Sequence, residues 1–150
     1  MSAERRFFPV GGQDGPGPFL GESGLPLTPA GRVRVAATLE AAPGVFVAGD
    51  AAGVALPGGF VRMGVQAALT QGWHAAGNLL RGLRGEPLQP YRWLDPGWVV
   101  PLANRRGAGF ILGLPLFGRL PAFLHYAMSV FRSVGLDTRR HLFRHLLGGR

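Results

Sequence analysis

The run VFVAGDAA, residues 45–52, organises the reading of this chain. Four apolar residues stop abruptly at Gly49-Asp50, and two small residues follow. A short, wholly apolar segment bounded in this way predicts a strand covered on both faces. Gly49 carries no side chain to block an approaching ligand. Asp50 would stand at the strand's C-terminal edge, outside any helix, where a carboxylate accepts hydrogen bonds from sugar-like hydroxyls. After the loop 51–60, the segment 61–84 is helical in pattern, with Val65, Ala68, Leu69, Ala76, Leu79, Leu80 and Leu83 as its apolar positions. The start of that helix, at 63–66, would turn its positive end toward negative charge on a nearby ring. The same residues also suit an ordinary turn, so the local pattern leaves both readings open.

Outward from this centre, residues 1–24 are rich in Gly and Pro and have no period, which predicts an irregular segment. An alternating core at 32–35 predicts an edge strand behind a turn at 29–31. Gly64, Gly72 and Gly77 each cost the helix about 1 kcal/mol against Ala, so they point either to a close approach by something else or to a loose or broken helix. The prolines of GEPLQPYRWLDPG (85–97) predict a linker. WVVPLA (98–103) and GAGFIL (107–112) flank Asn104-Arg105-Arg106 and predict a hairpin.

The chain has 150 residues with no Cys, so disulfides, thiolate metal sites and a cysteine nucleophile are excluded. Net charge is +8, unevenly spread: residues 1–103 hold eight Arg and seven acids, residues 104–150 eight Arg and only Asp137. Such a basic block meets an anionic surface or serves as a solvated face. Between 120 and 134, Phe123, Leu124, Ala127, Met128, Phe131 and Val134 recur at helical steps, with Pro121 suited to the first turn and Gly135 to the end. Beyond it, Asp137 or Thr138 would cap a second helix carrying Leu142, Phe143, Leu146 and Leu147 beside Arg139, Arg140 and Arg144. Apolar stripe plus Arg flank is the composition of a helix in a membrane interface. The stripes would equally pack onto the rest of the chain or onto a second copy. Nucleic-acid binding is disfavoured by those large apolar residues.

Other motifs fail. GPGPFLG (15–21) and GAGFILG (107–113) misplace the last glycine of a dinucleotide fingerprint. His141 and His145 lie four apart but have no third ligand, so no metal is expected. No apolar run reaches the length of about 18 residues that a membrane-spanning helix needs.

Taken together, VFVAGDAA resembles the second flavin-binding signature of two-dinucleotide flavoproteins, the pyridine-nucleotide:disulfide oxidoreductase superfamily. Residues 65–92 (VQAALTQGWHAAGNLLRGLRGEPLQPYR) and 97–140 resemble the C-terminal segments of type II NADH dehydrogenases, which are FAD-dependent NADH:quinone oxidoreductases at the membrane surface. The similarity covers residues 16–150. It implies an α/β fragment: part of an FAD-binding doubly wound domain, then a hairpin and amphipathic helices. The implied division is an irregular segment 1–24, the C-terminal part of the FAD domain at 25–85, and a membrane-facing region at 86–150.

By the same resemblance, Asp50 would hold the FAD ribityl chain beside Gly49, and Val65-Gln66 would match the Ala-Gln pair at the flavin ring. Gln66 would be the catalytic side chain nearest the quinone. Gln71 falls on the last glutamine of the family's AQ-x-A-x-Q-Q pattern, and Thr70 departs from the one before it. Both G-x-G-x-x-G fingerprints, for FAD and for NADH, are lacking, so the chain resembles the C-terminal portion of such an enzyme and is expected to be inactive alone. The implied partners are quinone, an anionic membrane surface on the cytoplasmic side, and a polypeptide carrying the other half. Against this stands a non-enzymatic peripheral membrane or interaction module.

Overall fold

The computed structural model describes residues 18–148, with side chains from 20 to 144. Mixed helices and small sheets fit an α/β fragment. The chain divides into two compact units, one ending at Trp93 and the other beginning at Leu94.

In the first unit, the part of the N-terminal segment that is described forms a 3-10 helix, Pro18–Ser23, which buries Leu20. Six very short strands follow: β1 Val33–Arg34, β2 Glu40–Ala42, β3 Val45–Phe46, β4 Ala52–Gly53, β5 Ala55–Leu56 and β6 Gly59–Phe60. They pair as β1 with β4 in parallel, and as the antiparallel pairs β2–β3 and β5–β6. The strand expected at 45–48 is thus two residues long and forms a hairpin with β2. Val45 is 42 % exposed, so the strand is not covered on both faces as its apolar run suggested. β1 is an edge of its two-stranded sheet, as expected, though Val33 is fully buried and meets Leu27 through an isolated bridge on the side away from Ala52.

The long helix α1, Val65–Leu83, covers Leu39, Ala52, Val54 and Val61 with Ala67 and Ala75. Its buried face is small and polar, consisting of Ala67, Gln71, Ala75 and Asn78. The apolar positions that mark the helix in sequence lie outward: Val65, Leu69, Leu79, Leu80 and Leu83 are exposed, and Trp73 is 81 % exposed. A Cβ added at Gly72 or Gly77 would meet nothing within 4 Å, so neither glycine serves a close approach by another of the described residues. Gly64 lies before the helix rather than within it.

The proline-rich stretch expected as a linker is an ordered strap up to Trp93. The fully buried Asn78 donates through Nδ2 to the carbonyls of Thr38 (2.9 Å) and Gln89 (2.8 Å), and its Oδ1 accepts the Gln89 N–H at 2.9 Å. Tyr91 donates its N–H to Ala37 O at 2.7 Å, and its hydroxyl meets that of Thr70 at 2.8 Å. Tyr91 and Trp93 pack against the core. A side-chain amide satisfies the backbone of an extended segment that has no strand partner of its own.

The second unit is a three-stranded antiparallel sheet, β7 Gly97–Pro101, β8 Gly107–Ile111 and β9 Leu114–Gly118, followed by α2 Arg119–Arg132 and α3 Leu136–Gly148. Asn104 and Arg105 both take positive φ, 59° and 57°, which makes the tight turn expected at this hairpin. The third strand was not legible in the pattern, and Pro115 is tolerated there because β9 is an edge. Pro121 and Ala122 in the first turn of α2 are buried against the sheet. A Cβ at Gly107 would come within 2.8 Å of Ala122 N and 3.1 Å of Pro121 Cβ, so this glycine lets the helix start sit on the strand. Asp137 and Thr138 do not cap α3. They lie in its first turn, and the Arg139 N–H bonds Gly135 O instead. Among the described residues no helix is long and apolar enough to cross a membrane.

Candidate functional site

Two residues after β3 the chain makes a single 3-10 turn, Gly49–Ala51. Asp50 therefore sits in the middle of a three-residue helical turn, not at a bare strand edge, and its side chain is exposed. The carboxylate Oδ1 accepts the backbone N–H of Gly64 at 3.0 Å. Gly64 immediately precedes α1, so this bond places a negative charge at the positive end of the helix. Val65, exposed, and Gln66, half-buried, are the first two residues of that helix. The structure thus brings Asp50, Val65 and Gln66, all singled out in the sequence, to one corner of the first unit.

Gly49 has a reason of its own for being glycine. Its φ is +71°, and a Cβ would meet Ala68 Cβ at 3.3 Å. The turn thus lies close against α1, and the positive φ together with this tight contact, rather than room for a ligand alone, disfavours a side chain there. The buried Gly49 N–H donates to Gln71 Oε1 at 2.7 Å. Gln71 is fully buried, and its Nε2 has no hydrogen-bond partner among the described residues. Gln71, which falls on the last glutamine of the family's pattern, therefore reaches back to the Asp50 turn.

Sequence reasoning missed Arg32, which read as one residue of an alternating strand. Its guanidinium is buried and donates to three backbone carbonyls: Nε to Asp50 O at 3.1 Å, Nη1 to Val61 O at 2.8 Å, and Nη2 to Ala52 O. Burial holds the guanidinium below its ordinary pKa, while the charge of Asp50 acts in the opposite direction. The corner thus presents a carboxylate and a helix N-terminus outward, with backbone oxygens engaged by Arg32 behind them. Such a surface accepts hydrogen bonds from hydroxyls.

No family model matches the chain. It is 32 % identical over 114 residues to a protein of Staphylococcus aureus (strain NCTC 8325 / PS 47) named Type II NADH:quinone oxidoreductase. A protein of the same name from Staphylococcus epidermidis (strain ATCC 35984) is 34 % identical over 90 residues, or 58 % of this chain and 22 % of the relative. This chain is related to the type II NADH:quinone oxidoreductases. The S. aureus alignment takes in 71 % of this chain but spans only 28 % of that relative's length. The Staphylococcus saprophyticus protein of that name matches with the same identity and coverage.

Proposed function

We propose that this chain is the C-terminal portion of an FAD-dependent NADH:quinone oxidoreductase. It forms the flavin-facing corner of a doubly wound FAD domain, the quinone-side helix and a membrane-facing region. The observation that carries this reading is the hydrogen bond between Asp50 Oδ1 and Gly64 N, which joins a carboxylate to the start of α1 in a chain related to that family.

The residues present fit part of the cofactor. Asp50 would accept hydrogen bonds from the ribityl hydroxyls, and the side-chain-free Gly49 lets the turn lie flat against α1. Backbone N–H groups at Val65 and Gln66 would meet the pyrimidine edge of the ring. When bound, FAD accepts hydride from NADH and passes electrons to quinone. The helix dipole of α1 would stabilise negative charge on the ring edge, and Gln66 would be the side chain nearest the quinone. The chain has neither glycine-rich dinucleotide loop, so alone it would bind FAD weakly and not turn over.

The outward stripe of α2 supports a peripheral membrane role; the cytoplasmic side is what the family resemblance implies. Leu120, Phe123 and Phe131 are exposed on α2, as are Val134 beyond its end and Phe143 on α3. Arg119, Arg139, Arg140 and Arg144 flank them. Apolar insertion with cationic flanks suits an anionic lipid surface.

A chimera tests the proposal: the aligned part of this chain replaces its counterpart in the S. aureus relative. The chimera should purify with FAD and reduce quinone with NADH. A chimera free of flavin, where the parent holds it, would sink the reading.

A further inference from the structure

We propose that Arg32 is the positioning residue of the Asp50 corner, clamping the Gly49–Ala51 turn to the segment that enters α1. Its guanidinium gathers carbonyls from two stretches of chain, Asp50 and Ala52 from the turn and its exit, and Val61 from the approach to the helix. The planar fork fixes the angle between those stretches, because its donors diverge rigidly in one plane. That angle is what allows the Asp50 carboxylate to meet Gly64 N, fourteen residues on, at 3.0 Å.

Arg32 also decides which groups face outward. A turn has carbonyls to offer as well as N–H groups. With the Asp50 and Ala52 oxygens drawn to a buried cation, the exposed side of the corner keeps the carboxylate and the helix N-terminus. The result is an acceptor for the hydroxyls of a polyol chain at the start of α1. The identity of that polyol as a flavin's rests on the function proposed above; the clamp itself does not. Gln71 holds the same turn from the α1 side through Gly49 N, so Arg32 and Gln71 grip it from two directions.

The test is amide hydrogen exchange by NMR on the full chain, comparing wild type with Arg32→Ala. Exchange at Gly49 and Gly64 should rise about tenfold or more, while exchange at Ala75 and Asn78 in mid-α1 should change less than about threefold. Added methylguanidinium should restore protection at both glycines, and sodium chloride at the same concentration should not. Should Arg32→Ala fail to fold, Arg32→Lys decides in its place: a compact ammonium lacks the fork, so the two glycines should still lose protection selectively.

Three outcomes would overturn the clamp: equal acceleration across the turn and α1, unchanged glycine amides, or a local loss that methylguanidinium leaves untouched. Riboflavin fluorescence, read on the same wild-type and chimeric samples, separates the two claims. Protected glycines with no quenching by the chimera count against the flavin and leave the clamp standing.

Discussion

Gln71 and Gly49 lie 22 residues apart in the chain and are joined by a 2.7 Å hydrogen bond, in which the fully buried amide oxygen of Gln71 accepts the Gly49 N–H. The middle of α1 therefore anchors the turn that carries Asp50. A buried backbone N–H deprived of its partner costs its full desolvation, which is larger than the net value of the bond.

Gln71→Leu should accordingly lower the stability of the first unit by about 1–3 kcal/mol, the cost of a buried unsatisfied donor. Urea unfolding followed by Trp fluorescence measures this. Stability equal to wild type would mean that the Gly49 amide finds another acceptor.

Glycine substitutions should separate by position. Gly49→Ala forces a left-handed backbone on an L-residue, at about 1–2 kcal/mol, and presses its Cβ toward Ala68. Gly72→Ala and Gly77→Ala, where nothing stands within 4 Å, should each stabilise the unit by up to about 1 kcal/mol. Thermal melts of the three variants give the order directly, and a destabilising Gly72→Ala would reveal a neighbour against that face of α1.

In the chimera, Asp50→Ala should lose flavin, because hydrogen bonds to a charged acceptor are worth about 1.5–3 kcal/mol. Gln66→Ala should keep flavin and slow quinone reduction. The flavin-to-protein absorbance ratio and the NADH:quinone rate are the two readouts. Parallel loss of both in Gln66→Ala would move the quinone away from this residue.

Liposome co-sedimentation tests the second unit. Binding to anionic vesicles should weaken with salt without vanishing, since each Arg near the surface contributes about 1 kcal/mol that salt screens, while the apolar stripe is insensitive to it. Phe123→Ser with Phe131→Ser should lower binding at both ionic strengths. Arg139→Gln with Arg140→Gln should matter mainly at low salt. Binding that ignores the phenylalanines would place the lipid contact elsewhere.

Periodicity and turn chemistry, read from the sequence alone, determined that α1 and α2 exist, that Asn104-Arg105 closes a hairpin, and that Gly49-Asp50 ends an apolar run beside a helix start. These are features of neighbours along the chain, and short-range sterics and capping specify them. Only the tertiary structure decided which face of α1 is covered. A periodic stripe marks a face without saying what packs on it, and here the small Ala67 and Ala75 lie inward on Leu39, Ala52, Val54 and Val61, while the polar Gln71 and Asn78 beside them meet a turn and a strap. The role of Arg32 was equally illegible. Its three acceptors are backbone carbonyls 18, 20 and 29 residues away. Every residue carries such a carbonyl, so no side-chain pattern in the sequence announces the partner; the folded path of the chain alone brings those oxygens to one guanidinium.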